Sequence, residues 1–275
     1  MKSAWSVVAL LILGAGAVAA QTGSQTTLIL SMIGGVSSGN KLWDLALQPL
    51  CLPEPTCAPS DPHDTLRIAR TVNTGFEAGI MASLFRGPHL GFSIELLYLG
   101  VPLEDACTAL KLNPDPGADS VYGPRNKQLC DNISSASLST SAIAVMGGAV
   151  LRAAPRGAFS HYVRGGFGVT AYATSTNEVS GLFLQGGQLE SRAVVVDPHP
   201  KSLGFSGQVA VGFTEKLGPG YQFRLEVQDA MIPLQHLTGP ANDLAQAPSS
   251  TKLFHRLALR FGLDVVLEQK RGRRY

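Results

Sequence analysis

Leu253-Phe254-His255-Arg256-Leu257-Ala258-Leu259-Arg260-Phe261-Gly262-Leu263-Asp264-Val265-Val266-Leu267 alternates along its whole length. A β-strand turns successive side chains to opposite faces. One face therefore carries Leu253, His255, Leu257, Leu259, Phe261, Leu263, Val265 and Leu267, and the other carries Phe254, Arg256, Ala258, Arg260, Gly262, Asp264 and Val266, with two arginines and an aspartate among them. About ten tilted residues suffice to cross the hydrocarbon layer of a membrane. A strand this long, greasy on one side and charged on the other, predicts the wall of a membrane-spanning barrel with lipid outside and a polar lumen.

The same period of two recurs upstream and gives about eight strand candidates, near 26–36, 71–84, 90–99, 140–152, 160–173, 203–214, 221–231 and 252–267. Tyr221, Phe223, Leu225 and Val227 oppose Gln222, Arg224, Glu226 and Gln228, and Leu90, Phe92, Ile94, Leu96 and Tyr98 oppose Gly91, Ser93 and Glu95. Strand 26–36 and the 142–150 stretch are apolar on both faces, so their register is unreadable. Connections alternate in length. Short turns rich in Gly and Pro fall at Arg86-Gly87-Pro88-His89, Ala154-Pro155-Arg156-Gly157 and Lys216-Leu217-Gly218-Pro219-Gly220, while long polar connections run over 37–70, 100–139, 174–202 and 232–251. Transmembrane barrels show this asymmetry, with tight turns on the periplasmic side and long loops outside. The predicted fold is thus all-β, an antiparallel up-and-down transmembrane barrel of about eight strands, with both termini periplasmic. Residues 182–196 read as a hairpin that either extends above the membrane, the favoured placement, or raises the count to ten.

Residues 1–20 have Lys2, a short apolar run from Val7 to Leu13, and small residues before Gln21. That is the layout of a cleavable secretory signal peptide rather than of a spanning helix. It leaves 21–267 for the barrel and 268–275 as a basic tail with Lys270, Arg271, Arg273 and Arg274 on the periplasmic side, within reach of anionic headgroups. With 22 basic and 20 acidic residues, the chain has no global field suited to nucleic acid. In an oxidising compartment Cys51 pairs most simply with Cys57 and Cys107 with Cys130, each within one long connection; metal ligation is the competing use, but neither spacing resembles a zinc motif.

From these features the chain resembles the small bacterial outer-membrane β-barrel proteins, the class of the OmpA transmembrane domain and OmpX. The assembly signal of that class runs polar, any, glycine, two of any, hydrophobic, any, hydrophobic. Arg260, Gly262, Val265 and Leu267 occupy its fixed positions, and Leu267 stands where the class usually carries an aromatic. The resemblance implies that the barrel-insertion machinery recognises this segment and that outer-membrane lipid surrounds the strands.

The residues with chemistry point mostly inward. Glu77, Glu95, Glu226 and Asp264 face the predicted lumen with Arg164, Arg224, Arg256 and Arg260. A barrel of eight strands is filled by its own side chains, so these charges are expected to pair with one another. The same network is the place for a narrow ion or solute path. His161 and His255 lie on strands without a readable serine and acid beside them, so no catalytic residue is assigned. Asp61, His63 and Asp64 read as an exposed acidic loop, with no metal or other cofactor expected. The expected role is structural or surface-interactive, adhesive or protective, through loops that meet an unknown surface ligand. A pore is the alternative, and a secreted lipocalin-like ligand-binding barrel, with the polarity reversed, is the second.

Overall fold

The computed structural model describes residues 26–50, 64–111, 122–134, 139–153, 157–173, 178–197, 201–242 and 245–268. Eight antiparallel strands close a barrel: β1 (Thr27–Ser37), β4 (Gly75–Phe85), β5 (Leu90–Val101), β7 (Thr140–Arg152), β8 (Phe159–Tyr172), β11 (Leu203–Gly218), β12 (Tyr221–Leu237) and β13 (Ser249–Glu268). Each pairs with the next barrel strand in sequence, and β1 closes the ring against β13, with Met32 opposite Leu263. The predicted strands all appear, with β4 beginning at Gly75 rather than at 71.

Polarity runs inside out. Phe92, Ile94, Val211, Leu257, Leu259 and Phe261 are exposed on the outer wall, while Glu95, Gln208, Arg256 and Arg260 are buried within. The registers left open by the sequence are now fixed. β1 turns Ile29, Ser31 and Ile33 inward and Leu30, Met32 and Val36 outward; β7 turns Ala142, Ala144 and Met146 inward and Ile143, Val145 and Leu151 outward. Small inward residues make room for large ones. A Cβ on Gly212 would lie 2.6 Å from the Tyr162 hydroxyl.

The long connections carry regular structure of their own, and the hairpin expected in the third is among it. The first contains β2 (Asn40–Leu50) and β3 (Asp64–Val72), and the second contains β6 (Leu103–Lys111) and a helix, α1 (Tyr122–Asn132). β2, β3 and β6 form a three-stranded sheet. The third connection holds the hairpin β9 (Glu178–Gln185) and β10 (Gln188–Val196), which stays outside the barrel, so the barrel count is eight and not ten. Gly186 and Gly187 turn it with φ of 58° and 82°, the left-handed pair that a two-residue hairpin loop needs. These elements make a folded cap on the barrel end opposite the termini. Its core joins Leu42, Trp43, Leu66 and Ile68 of the sheet, Leu129 of α1, Ile133 just beyond it and Phe183 of the hairpin to Leu97, Leu99, Ala142 and Ala144 of the barrel's inner wall.

Candidate functional site

The lumen is layered. At the end bearing the termini, Ile29, Phe85, Val150 and Tyr162 form an apolar floor, with the Arg152 guanidinium 3.4 Å from the centre of the Phe85 ring. At the other end the cap core forms an apolar roof. Ionised side chains fill the space between.

Arg164 and Arg260 brace the middle layer by sharing the same acids. Arg164 donates from Nη1 to Glu95 at 2.7 Å and from Nε and Nη2 to the two oxygens of Glu226 at 2.7 and 2.6 Å. Arg260 donates from Nε to Glu77 and from Nη2 to Glu95, both at 2.6 Å, and from Nη1 to Glu226 at 3.3 Å. Gln228 accepts from both arginines, Gln208 donates to Glu95, and the Tyr162 hydroxyl donates to Glu226 at 2.9 Å. Below them Arg224 holds Asp264 through two bonds of 3.0 and 2.8 Å and lies over the Tyr162 ring. A buried carboxylate is tolerable only when paired and hydrogen-bonded, and all four acids have arginine partners. Seven of the eight residues expected in the lumen join this network.

Arg256 is the exception. It is buried on the inner wall, but its Nη2 donates to the Ser37 hydroxyl and to the Gly100 carbonyl at 3.0 Å rather than to a carboxylate. Its Nε and Nη1, the Tyr172 hydroxyl, Gln208 Oε1 and Gln228 Nε2 are buried atoms without a hydrogen-bond partner among the described residues.

The cap has its own buried ion pair. Arg70 donates to both oxygens of Asp105 at 2.6 and 2.7 Å and to the Glu178 carbonyl at 2.5 Å, with Trp43 5.4 Å from its guanidinium. A disulfide joins Cys107 of β6 to Cys130 of α1; Cys51 and Cys57 lie outside the described residues. Asp64, read as part of an exposed loop, is instead buried and accepts from Asn126 at 2.6 Å, while Asp61 and His63 lie outside the described residues. On the cap surface Asp44 accepts from Arg67 at 2.6 and 3.0 Å and from Lys41, and these bonds hold its carboxyl well below the ordinary carboxylate range. Two concavities of about 200 and 390 Å³ meet at Ala247 and Pro248, the first also lined by Lys201, Gln235 and Ser249.

On the outer wall the structure supplies an acid beside His255. Asp229 Oδ2 lies 2.8 Å from its Nδ1, both groups exposed. Extending the outward series Tyr221, Phe223, Leu225, Val227 by one step reaches Asp229, so the signal was present in the alternation. A polar pair there marks the cap-side end of the greasy belt on β12 and β13. Of the assembly pattern, Arg260 points into the lumen, Gly262 sits with its Cα against Met32 and Ile33 of β1, and Leu267 is exposed outside.

The architecture is that of the outer-membrane β-barrels. No family model matches the sequence, and no curated protein matches it. Solved structures with a similar fold include Neisserial surface protein A (9% identity, TM-score 0.42, covering 87% of this chain and 96% of that one). They also include OprG of Pseudomonas aeruginosa (10%, 0.44, 89% and 97%) and Ail, the attachment invasion locus protein of Yersinia pestis (10%, 0.37, 89% and 99%).

Proposed function

We propose that this chain is an outer-membrane anchor that displays its cap outside the cell and acts through the cap surface, without catalysis and without conducting through the lumen. The observation that carries this is the filled lumen: a braced ion network between an apolar floor and an apolar roof. The cap, with its disulfide, buried ion pair and concavities, is the part free to meet a surface ligand, in an adhesive or protective role. The leader at 1–20 exports the chain, the 260–267 segment addresses the insertion machinery, and the 268–275 tail stays in the periplasm. A soluble lipocalin-like barrel would need an apolar lumen and a polar exterior, the opposite of the polarity described above.

Intact cells carrying Leu189→Cys in the hairpin or Gly218→Cys in a short turn, treated with a membrane-impermeant thiol label, test the placement. Labelling at 189 and not at 218 supports it. The reverse pattern sinks it. Passage of a small solute is the second reading, favoured by the unpartnered polar atoms around Arg256 and Tyr172, which are what a hydrated chamber beneath the cap would satisfy. Planar-bilayer recordings of wild type and Arg224→Ala separate the two: silence in both supports an anchor, and current in wild type supports a pore.

A further inference from the structure

Arg164, Arg224 and Arg260 each hold a carboxylate, but Arg256 touches none. It enters the lumen from β13 and is 1% exposed. One corner of its guanidinium is fixed. Nη2 donates to the Ser37 hydroxyl and the Gly100 carbonyl, and it lies so near β4 that a Cβ on Gly75 would come within 2.6 Å of it. Nε and Nη1 have no hydrogen-bond partner among the described residues. Glu77 lies within electrostatic reach of Arg256, yet it spends its hydrogen-bonded oxygen on Arg260 Nε at 2.6 Å. A buried cation held only by neutral groups is costly, and buried donors left over by the protein call for a bound water or ion.

Tyr172 meets Arg256 from β8, three strands round the ring. Its hydroxyl is also buried without a partner, and it interacts electrostatically with Arg256 although the two form no hydrogen bond. An interval therefore separates them, bounded by the ion network on one side and the cap roof on the other. The unused groups around it are mostly donors: two on Arg256, the Tyr172 hydroxyl and Gln228 Nε2, against Gln208 Oε1 as acceptor. We infer that a small monovalent inorganic anion, chloride or bromide, binds between Arg256 and the Tyr172 hydroxyl. A surplus of donors beside a positive charge repels cations, and water alone would satisfy the N–H groups without matching the charge. Nε and Nη1 lie on different edges of the guanidinium, so the ion takes one of them together with the hydroxyl proton, and water serves the other. Charge-assisted bonds of this kind gain strength away from bulk water.

The site lies in the lumen and does not depend on which way the cap faces: a barrel that fails the labelling test can still bind chloride, and one that passes it can fail to. Full-length protein in lipid vesicles is unfolded with urea while sodium chloride is replaced stepwise by sodium gluconate at constant ionic strength. Once chloride exceeds its Kd, each tenfold rise should increase the folded-to-unfolded ratio of wild type about tenfold. Arg256→Met should lose this response whatever its own stability. Tyr172→Phe should need roughly tenfold more chloride for the same gain, because one charge-assisted bond is gone. Crystals of wild type grown in bromide should show its anomalous scattering between Arg256 and Tyr172, a reading that needs no variant to fold. A flat wild-type response, a full response in Arg256→Met, or Tyr172→Phe titrating like wild type overturns the proposal. So does bromide bound at surface cations alone, an adventitious ion only.

Discussion

The barrel and the cap solve the same packing problem with opposite materials. The barrel turns its aliphatic and aromatic side chains outward and buries four carboxylates with the arginines that hold them, whereas the cap buries Leu66, Ile68, Trp43 and Phe183 and keeps Lys41 and Arg67 exposed around a half-buried Asp44. Lipid rewards an apolar exterior, so the barrel turns its charge inward, where arginines match all four carboxylates and Arg256 rests on a hydroxyl and a carbonyl. Water rewards a polar exterior, so the cap is driven together by burial of apolar surface in the ordinary way. The two cores meet at Leu97, Leu99 and Ala144, where the inner wall changes from ionised to apolar. That change of material makes the roof of the lumen part of the cap rather than part of the barrel.

The largest effect follows from removing one of the shared cations. Arg260→Ala strips a partner from Glu77, Glu95 and Glu226 at once, and breaking a buried pair costs about 3 to 5 kcal/mol. Urea unfolding of the protein in lipid vesicles should show the barrel transition fall by that amount. Arg70→Ala applies the same insult to Asp105 in the cap and should act elsewhere: the barrel transition stays near wild type while proteases gain access to 64–111. If both substitutions lower one common transition, the barrel and cap do not behave as separable cores.

Leu225→Arg tests the exterior instead. Leu225 sits midway along the outward series from Tyr221 to Asp229, where an arginine in hydrocarbon costs about 2 to 4 kcal/mol. Leu189→Arg, on the exposed hairpin, should change folding stability by roughly 0.5 kcal/mol or less. Equal effects of the two would mean that the belt does not face lipid. Somewhat smaller and confined to the cap is the disulfide. Replacing Cys107 and Cys130 by serine frees a 23-residue separation in the unfolded cap, a loss of about 3 kcal/mol in the chain-entropy picture and less where the partly folded cap keeps structure. Protease protection of the cap is the measurement, with heat-modifiable migration of the barrel unchanged.

How much of this was legible in the sequence follows the same division. β13, β12 and β5 were readable because lipid on one side and matched charge on the other enforce a clean period of two. The arginines and glutamates of the lumen could be named from parity alone, since a charge on the outward face would sit in hydrocarbon. β1 and β7 resisted because Ile29 faces the apolar floor and Ala142, Ala144 and Met146 face the roof, where nothing polar marks the inside. β2 escaped for another reason. Its pairing with β3 slips between Lys41 and Trp43 and again between Leu45 and Gln48, so its side chains change face twice and the alternation is lost, and Pro49 made the segment look like a loop. Arg256 shows the limit of parity: it places a residue inside the wall but not among partners, and only coordinates reveal that Ser37 and Gly100 lie where a carboxylate was expected.

The smallest effect sharpens the contrast between buried and exposed charge. Asp44 touches two cations on the cap surface, as the lumenal acids do, but in water such pairs add little, because the separated ions are already well solvated. Asp44→Asn should therefore lower cap stability by roughly 0.5 kcal/mol or less at neutral pH. The sign of its pH dependence is fixed by the direction of the shift. The folded carboxyl ionises below the unfolded one, so its contribution is complete above the unfolded value of about 4 and fades as the pH falls beneath it. Wild type and variant should differ slightly at pH 7 and converge in strong acid, as read by the urea midpoint of cap protection. A difference that grows as the solution is acidified, or one as large as that of Arg260→Ala, would mean that Asp44 is held in a setting more like the lumen than the surface.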